Sequence, residues 1–233
     1  MKVLFNADDF GLTKGVTDGI IQSHTTGVVQ STTLMMNGLA TEYAVEKAKM
    51  HPSLHVGIHL VLTFGSPLRK DVRSLVTEEG EFRYTNAFKE MDPPNLEEVE
   101  KEWRAQLDAF LATGLPLHHI DSHHHVHGWE VLKDLVVRLA QEYQVPVRYT
   151  DSLQAYPELL LTDSLWLDFY GEGVKDDLFH RLSTLECDSV EIMTHPAIVD
   201  SELKSVSSYL DKREDELSIL CSLPIPDWVE MMT

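Results

Sequence analysis

The chain has 233 residues, of which 43% are hydrophobic and 24% are charged. This is the composition of an ordinary globular protein, and it excludes a disordered or fibrous chain. The length suffices for a hydrophobic core without disulfide or metal staples, and we expect one domain over residues 1–233. With 19 basic and 38 acidic residues the formal charge is −19, which disfavours binding to nucleic acid or to an anionic membrane surface.

Short aliphatic segments alternate with longer segments of helical periodicity along most of the chain. We predict strands at residues 2–7, 28–36, 55–62, 117–121, 146–149 and 190–194, and helices at residues 14–26, 41–50, 96–113, 129–142, 174–185 and 203–221. This alternation predicts an α/β fold with a parallel sheet, either open or closed into a barrel. Residues 63–95 are rich in glycine, proline and charge, and they predict a long loop inserted over one end.

The first residues and the cysteines indicate a cellular compartment. Few apolar residues precede Asp8 and Asp9, and this run is too short for the core of a secretory signal. Cys187 and Cys221 lack CxxC spacing, so we expect both thiols to be reduced and structural. The sequence therefore predicts a cytoplasmic protein.

Histidine is the densest chemical signal, because six of the twelve histidines lie within residues 118–127. Imidazole is the commonest metal ligand in proteins, so this segment predicts a metal site. His123 and His127 are four residues apart, and they could share an ion if the chain turns helical after the fourth strand. We interpret His118 and His119 as structural. Asp121, His124 and His125 would either support the ligands from outside or lie exposed.

Polar groups follow several predicted strands at their carboxyl ends. In parallel α/β folds these ends meet at one edge of the sheet, where active sites form. We therefore expect one pocket that collects Asp8 and Asp9 from the first strand, His59 from the third, His123 from the fourth and His195 from the last.

Each of these groups also has a structural interpretation. Adjacent carboxylates at a strand end point in different directions, so in the Asp8-Asp9 pair one can bind an ion while the other serves as a general base. The alternative for this pair is a turn or a helix N-cap. His59 could be a buried core histidine, but such a ring needs a partner, which the other strand ends supply. His195 precedes a proline, which suits a strand-end loop, and it is a candidate general acid.

Enzymes with a nucleotide-binding loop and enzymes with a G-x-S-x-G serine nucleophile are both disfavoured. Residues 11–15 lack the spacing of a P-loop or a dinucleotide-binding loop, and the chain has no G-x-S-x-G sequence.

Four aromatic residues either line a sugar pocket or belong to the core: Trp129, Trp166, Phe169 and Tyr170.

Several motifs follow one another over nearly the whole chain: Asn-Ala-Asp-Asp-Phe-Gly-Leu at 6–12, Ser-Thr-Thr to Asn-Gly at 31–38, Gly-Ile-His-Leu-Val-Leu-Thr at 57–63, the histidine segment at 119–127, Phe-Tyr-Gly-Glu at 169–172 and His-Pro-Ala at 195–197. In content and order they resemble the YdjC/ChbG-like carbohydrate deacetylases. These are metal-dependent enzymes that remove N-acetyl groups from chito-oligosaccharides and related sugars. Residues 82–94 and the tail after Glu214 match no motif of the family.

The resemblance implies a distorted (β/α) barrel of the TIM-like, polysaccharide-deacetylase-like kind, which binds one divalent ion. It assigns Asp9, His59 and His123 as metal ligands, with His127 in reserve, Asp8 as the general base and His195 as the acid. The family suggests Mg or another divalent ion, and one carboxylate with two imidazoles also suits Zn, Mn, Fe or Co. The implied substrates are small acetylated oligosaccharides such as chitobiose and chitotriose, also in 6-phosphorylated form, with acetate as a product. A homodimer is expected by resemblance only.

Two other functions remain open at this stage. A metal-dependent phosphoesterase could use a similar barrel, but it would usually need two metals and more basic residues near the motifs. A sugar- or metal-binding protein without catalysis could retain the fold, although it would need neither Asp8 nor His195.

Overall fold

A parallel sheet forms the centre of the structure, a computed structural model that describes residues 1–232. Its strands are β1 (Lys2–Phe10), β2 (Ser31–Leu34), β3 (His55–Leu60), β4 (Ile120–Ser122), β5 (Ser164–Trp166), β6 (Ser189–Thr194) and β7 (Glu230–Met231). The strand order is β4-β3-β2-β1-β6-β5, with β7 paired to the first residues of β1. Neighbouring strands in this sheet all run parallel.

The two edges of this sheet approach each other through single-residue bridges. Val147 pairs in parallel with Ile120 of β4 on one side and with Leu160 on the other, and the chain then runs from Leu160 into β5. The sheet is therefore curled into an incompletely closed barrel. The expected α/β fold, built on a distorted barrel of parallel strands, is confirmed.

The helices are α1 (Lys14–Thr25), α2 (Thr41–Met50), α3 (Leu96–Ala112), α4 (Lys133–Tyr143), α5 (Leu178–Leu182), α6 (Ser201–Val206) and α7 (Asp211–Leu220). The side chain of Asn95 caps α3 by accepting hydrogen bonds from the N–H groups of Glu97 and Glu98. One face of α3 is fully buried against the sheet through Val99, Trp103, Leu107 and Phe110. Within residues 1–232, no helix is long and apolar enough to cross a membrane.

Several predicted elements differ from the structure. The predicted strand 146–149 is reduced to the bridges of Val147, and the short strand β5 was not predicted. The predicted helix 174–185 is helical only over Leu178–Leu182. The predicted helix 203–221 is interrupted between α6 and α7, because Ser207 Oγ accepts a hydrogen bond from the N–H of Tyr209 and competes with helical backbone bonding.

The segment 63–95, which the sequence predicts to be an inserted loop and which we call the insertion, packs against α3. It contains two short 3-10 turns, Arg73–Leu75 and Phe88–Glu90, and one antiparallel bridge between Val76 and Phe82. The N–H groups of Leu68 and Arg69 each donate to the buried carboxylate of Glu102 over 2.9 Å. These bonds fix the insertion beside the carboxyl ends of the strands.

Candidate active site

A cavity of about 590 Å³ opens at the carboxyl ends of the strands, and we call it the strand-end cavity. Its lining includes Asp8 and Asp9 from the end of β1, His59 from β3, His123 directly after β4 and His195 directly after β6. The structure thus brings together the five residues that the sequence placed at four separate strand ends. Sites at this edge of a parallel barrel are built from groups on several strands.

Asp9, His59 and His123 form a compact set of donors. Asp9 Oδ1 lies 3.0 Å from His123 Nδ1 and 3.4 Å from His59 Nε2. One ligand atom of each of these residues lies within 4.8 Å of the other two. One carboxylate with two imidazoles is a donor set used for divalent transition metals.

The surroundings of His59 fit a metal ligand. Its Nε2 is buried and has no hydrogen-bond partner, although it faces Asp9. Its other ring nitrogen, Nδ1, lies 2.7 Å from Asp121 Oδ1 and 3.1 Å from Thr33 Oγ1. A carboxylate on the far nitrogen is the usual support for a metal-ligating histidine, since it fixes the ring and the tautomer. A divalent ion between Asp9, His59 and His123 would satisfy the unpaired nitrogen.

A second group of donors, Asp8, His59 and Asp121, is also close enough for an ion. Its oxygens are already bound, because Arg148 donates to Asp8 over 2.6 and 2.5 Å and lies 2.9 Å from Asp121 Oδ2. Asp121 is fully buried and lies beneath the cavity rather than on its wall. The group with Asp9 is therefore the better metal site.

The structure does not bring His127 to this donor set. The chain after β4 does turn as a 3-10 helix, His123–Gly128, but His124 and His125 have left-handed φ angles of 54° and 57°. These angles break the helical spacing that would place His123 and His127 on one face. His127 is buried, with its Nδ1 2.6 Å from Ser122 Oγ and its Nε2 3.4 Å from the carbonyl of Arg148. Its ring nitrogens are thus occupied within the protein.

Arg148 is the electrostatic centre of the barrel interior. The buried guanidinium contacts Asp8, Asp121 and Glu191, with Nη2 2.7 Å from Glu191 Oε1. Burial alone would raise the pKa of Asp8, but Arg148 holds it well below the usual range of a carboxyl. Burial raises the pKa of Glu191 to about 7 against the opposing effect of Arg148, and the nearby carboxylates of Asp8 and Asp121 add to the rise. Because Arg148 lowers its pKa, Asp8 is ionised at neutral pH.

Helix α7 contributes two groups that the sequence analysis missed. Arg213 is buried, and its Nη2 donates to Asp9 Oδ2 over 2.7 Å. Glu216 is fully buried and accepts hydrogen bonds from the N–H of His195 and, over 2.6 Å, from the hydroxyl of Tyr209. The only signal in the sequence is the three-residue spacing of Arg213 and Glu216 on a polar helix, which is also typical of a solvent-exposed face.

Burial lowers the pKa of His195 to about 4, against the opposing effect of Asp9. Its ring is therefore neutral at pH 7, with Nδ1 buried and unpaired. The ring of Tyr170 lies 5.6 Å from it, edge to face, and stacks on Tyr209 at 4.1 Å. Among the aromatic residues considered for sugar contact, Tyr170 lines the strand-end cavity, whereas Phe169 is in the core.

Fold and site together define a parallel α/β barrel protein with Asp and His side chains positioned to bind a metal at the carboxyl ends of its strands. The family model described as YdjC-like protein matches residues 2–231, and the chain belongs to this family. It is 60% identical over 230 residues to a carbohydrate deacetylase of Oceanobacillus iheyensis, covering 99% of this chain and 100% of that protein. It is 46% identical to a carbohydrate deacetylase of Brevibacillus brevis, covering 98% of this chain and 94% of that protein.

A solved structure shows the same fold. The crystal structure of a putative cellobiose-phosphate cleavage protein from Enterococcus faecalis superposes with a TM-score of 0.88 at 37% identity, covering 95% of this chain and 90% of that one. The resemblance inferred from the motifs is thereby confirmed.

We expect His123→Ala and His127→Gln to affect metal binding differently. Loss of a direct ligand should lower the affinity more than about 100-fold, whereas loss of His127, whose hydrogen bonds go to Ser122 and Arg148 and not to the donors, should cost less than the roughly tenfold typical of a supporting partner. Equilibrium titration of both folded variants with zinc and with manganese measures this difference. Equal losses in the two variants would contradict the ligand set with His123.

Metal binding should release a proton. Burial alone would lower the pKa of His59, but Asp121 and Asp9 raise it to about 10, so the free ring is charged at pH 7. A ligating imidazole must be neutral, so each bound ion should displace about one proton and the affinity should rise with pH up to about pH 10. Calorimetric titration in buffers of different ionisation enthalpy measures the released protons. A proton count that does not differ between the wild type and His59→Gln would contradict this assignment.

Proposed function

We propose that this chain is a metal-dependent hydrolase that removes N-acetyl groups from acetylated carbohydrates, such as chito-oligosaccharides, and releases acetate. The observation that carries the proposal is the meeting of Asp9, His59 and His123 with Asp8 and His195 in one cavity. The relatives named carbohydrate deacetylase support an enzyme of this kind, since they match nearly the full chain.

Asp9, His59 and His123 would hold the ion. A divalent ion at such a site polarises a carbonyl oxygen and lowers the pKa of a bound water. Two imidazoles favour Zn, Mn, Fe or Co, while Mg prefers more oxygen ligands. Addition of single metals to metal-free protein identifies the metal that supports activity. Arg213 neutralises the second oxygen of Asp9, which leaves Oδ1 facing the two histidines.

Asp8 would accept the proton of the attacking water. It lines the cavity and is ionised, as a general base must be. Arg148 keeps contacts with Asp121 and Glu191 in addition to Asp8, so the guanidinium stays paired when Asp8 becomes neutral. This sharing lowers the cost of protonating Asp8, whose pKa in the resting state is otherwise unfavourable for a base.

His195 would deliver a proton to the departing amine. Its ring is neutral in the resting state, so the proton that Asp8 takes from the water must reach this ring before the ring passes it to the amine, which also returns Asp8 to its ionised form. Glu216 fixes the backbone of His195 through its N–H, and Tyr170 contacts the ring edge to face. The ring is thereby oriented in the cavity wall.

The other two functions are less well supported. Among the residues of 1–232 that line the strand-end cavity, Arg213 is the one with a permanent positive charge, and it is paired with Asp9. A phosphoesterase would need more cationic groups for its phosphate. A non-catalytic binding protein has no use for an ionised Asp8 beside the donor set. The expected homodimer and the cytoplasmic location stay predictions.

Acetate release tests the proposed reaction. Protein freed of metal by a chelator is assayed with N,N′-diacetylchitobiose and triacetylchitotriose, with and without a 6-phosphate, before and after addition of Mg, Zn, Mn or Co singly. We expect release only with a metal, because the polarised carbonyl and the activated water both depend on it. Protein that binds metal but releases no acetate with any of these ions would contradict the deacetylase function.

Asp8→Asn tests the general base. We expect the variant to bind metal but to lose about 10²–10⁴-fold in kcat, the range of general base catalysis. Glu191→Gln is the matched control, because it removes a carboxylate from the same guanidinium but lies outside the cavity lining. Its kcat should fall less than about tenfold. Comparable losses in the two variants would show that the charge balance of Arg148, rather than proton transfer by Asp8, limits the reaction.

A further inference from the structure

The Asn37-Gly38 pair ends one of the sequence motifs but belongs neither to the donor set nor to the lining of the strand-end cavity. Its backbone lies against the turn that follows β1, because a Cβ atom at Gly38 would come within 2.2 Å of the carbonyl oxygen of Gly11. Glycine is the residue that permits such a close approach of two backbones. The turn that follows Asp9 therefore fixes the position of Asn37.

The side chain of Asn37 holds the first turn of the insertion. Its Nδ2 donates to the carbonyl of Phe64 over 2.9 Å and to the carbonyl of Ser66 over 3.2 Å. Gly65 between them has a φ angle of 62°, which glycine adopts without strain. From within the insertion, the N–H of Phe82 donates to the carbonyl of Gly65 over 2.7 Å. The two bonds of Asn37 tie this turn to the loop that follows β2.

This turn carries Phe64 to the candidate metal ligand His123. Phe64 lines the strand-end cavity, and the centre of its ring lies 5.8 Å from that of His123, at an angle of 68° between the two planes. Edge-to-face pairs of aromatic rings have such geometry, with centres about 4.5–7 Å apart. The ring of Phe64 therefore limits the rotation of the imidazole.

His123 depends on packing for its orientation more than His59 does. The far nitrogen of His59 lies 2.7 Å from the carboxylate of Asp121. Among residues 1–232, no carboxylate contacts the second ring nitrogen of His123, whose Nδ1 faces Asp9. A metal-ligating histidine usually has a partner that fixes its ring. For His123 this support comes from neighbouring rings, of which Phe64 belongs to the insertion and is held by Asn37.

We propose that Asn37 is a positioning residue of the metal site, which seats the ring of Phe64 against His123 and thereby slows the loss of a bound ion. The proposal rests on the proposed function, since it takes His123 to be a ligand of the working metal. Outer groups that orient a metal ligand typically contribute about 10–100-fold to the affinity. The contribution of Asn37 passes through Phe64, so removal of either side chain should remove the same support.

The release of cobalt measures this support directly. Metal-free protein is loaded with Co²⁺, an excess of chelator is added, and the decay of the cobalt absorption band gives the rate of dissociation. The variants are Asn37→Ala, Phe64→Ala and the combination of both. The control is Ser74→Ala, which removes a hydrogen bond of 2.7 Å between the insertion and Glu98, outside the lining of the strand-end cavity.

We expect Asn37→Ala and Phe64→Ala each to accelerate cobalt release about tenfold. Because both act through one contact, the double variant should release cobalt no more than about threefold faster than either single variant. Asn37→Asp keeps the size of the side chain but removes its donors, so it should match Asn37→Ala. Ser74→Ala should stay within about twofold of the wild type.

Two results would overturn the proposal. One is a release rate that Asn37→Ala leaves unchanged, and the other is a double variant in which the two effects multiply to about 100-fold. Phe64→Leu keeps an apolar side chain without the ring, so it tests the ring contact even where Asn37→Ala fails to fold. Cobalt release from Phe64→Leu at the rate of the wild type would also overturn the proposal.

A failure of the proposed function gives a different result. Protein that releases cobalt as expected in all variants but releases no acetate from any sugar contradicts the deacetylase function and supports the role of Asn37. Protein that releases acetate, with a rate of cobalt loss that does not depend on Asn37, supports the function and overturns that role. A wild type that binds no cobalt overturns the role as well.

Discussion

The buried guanidinium of Arg148 is the interaction on which the rest of the site depends. It joins carboxylates from three strands of the barrel, Asp8 of β1, Asp121 of β4 and Glu191 of β6. Three acidic groups in a closed interior would otherwise repel one another, and removal of one partner from a buried ion pair costs about 3–5 kcal/mol. Arg148 therefore makes an acidic barrel interior compatible with folding.

The same guanidinium contacts both the carboxylate of Asp8 and the carboxylate that supports the donor His59. Through Asp8 it controls the charge of the group beside the donor set, and through Asp121 it contacts the carboxylate that orients His59. A second buried arginine, Arg213, neutralises one oxygen of Asp9. Each acidic residue near the donors is thus balanced by a buried arginine, and the two imidazoles face oxygen atoms in fixed positions.

Sequence patterns reached the residues at the strand ends, and Asp121 as a candidate support, but not the arginines that pair with the carboxylates. Asp8, Asp9, His59 and His195 stand out because polar groups follow aliphatic strands, and this local signal survives folding. Arg148 lies 140 residues from Asp8, and Arg213 lies 204 residues from Asp9, so nothing local distinguishes them from surface charges. The failed strand prediction at 146–149 has a related cause, because Val147 is held only by isolated bridges at the barrel's open seam.

The histidine segment shows why spacing alone misassigns ligands. Four-residue spacing places His123 and His127 on one face only in a regular helix. The left-handed angles of His124 and His125 break that regular helix, and His123 lies against Asp9 while His127 is bonded to Ser122. Backbone strain of this kind persists only where the surrounding structure enforces it. Here the insertion contacts the turn through Thr63, whose Oγ1 lies 3.0 Å from His124 Nδ1, and the chain before the strained residues carries His123 of the candidate donor set.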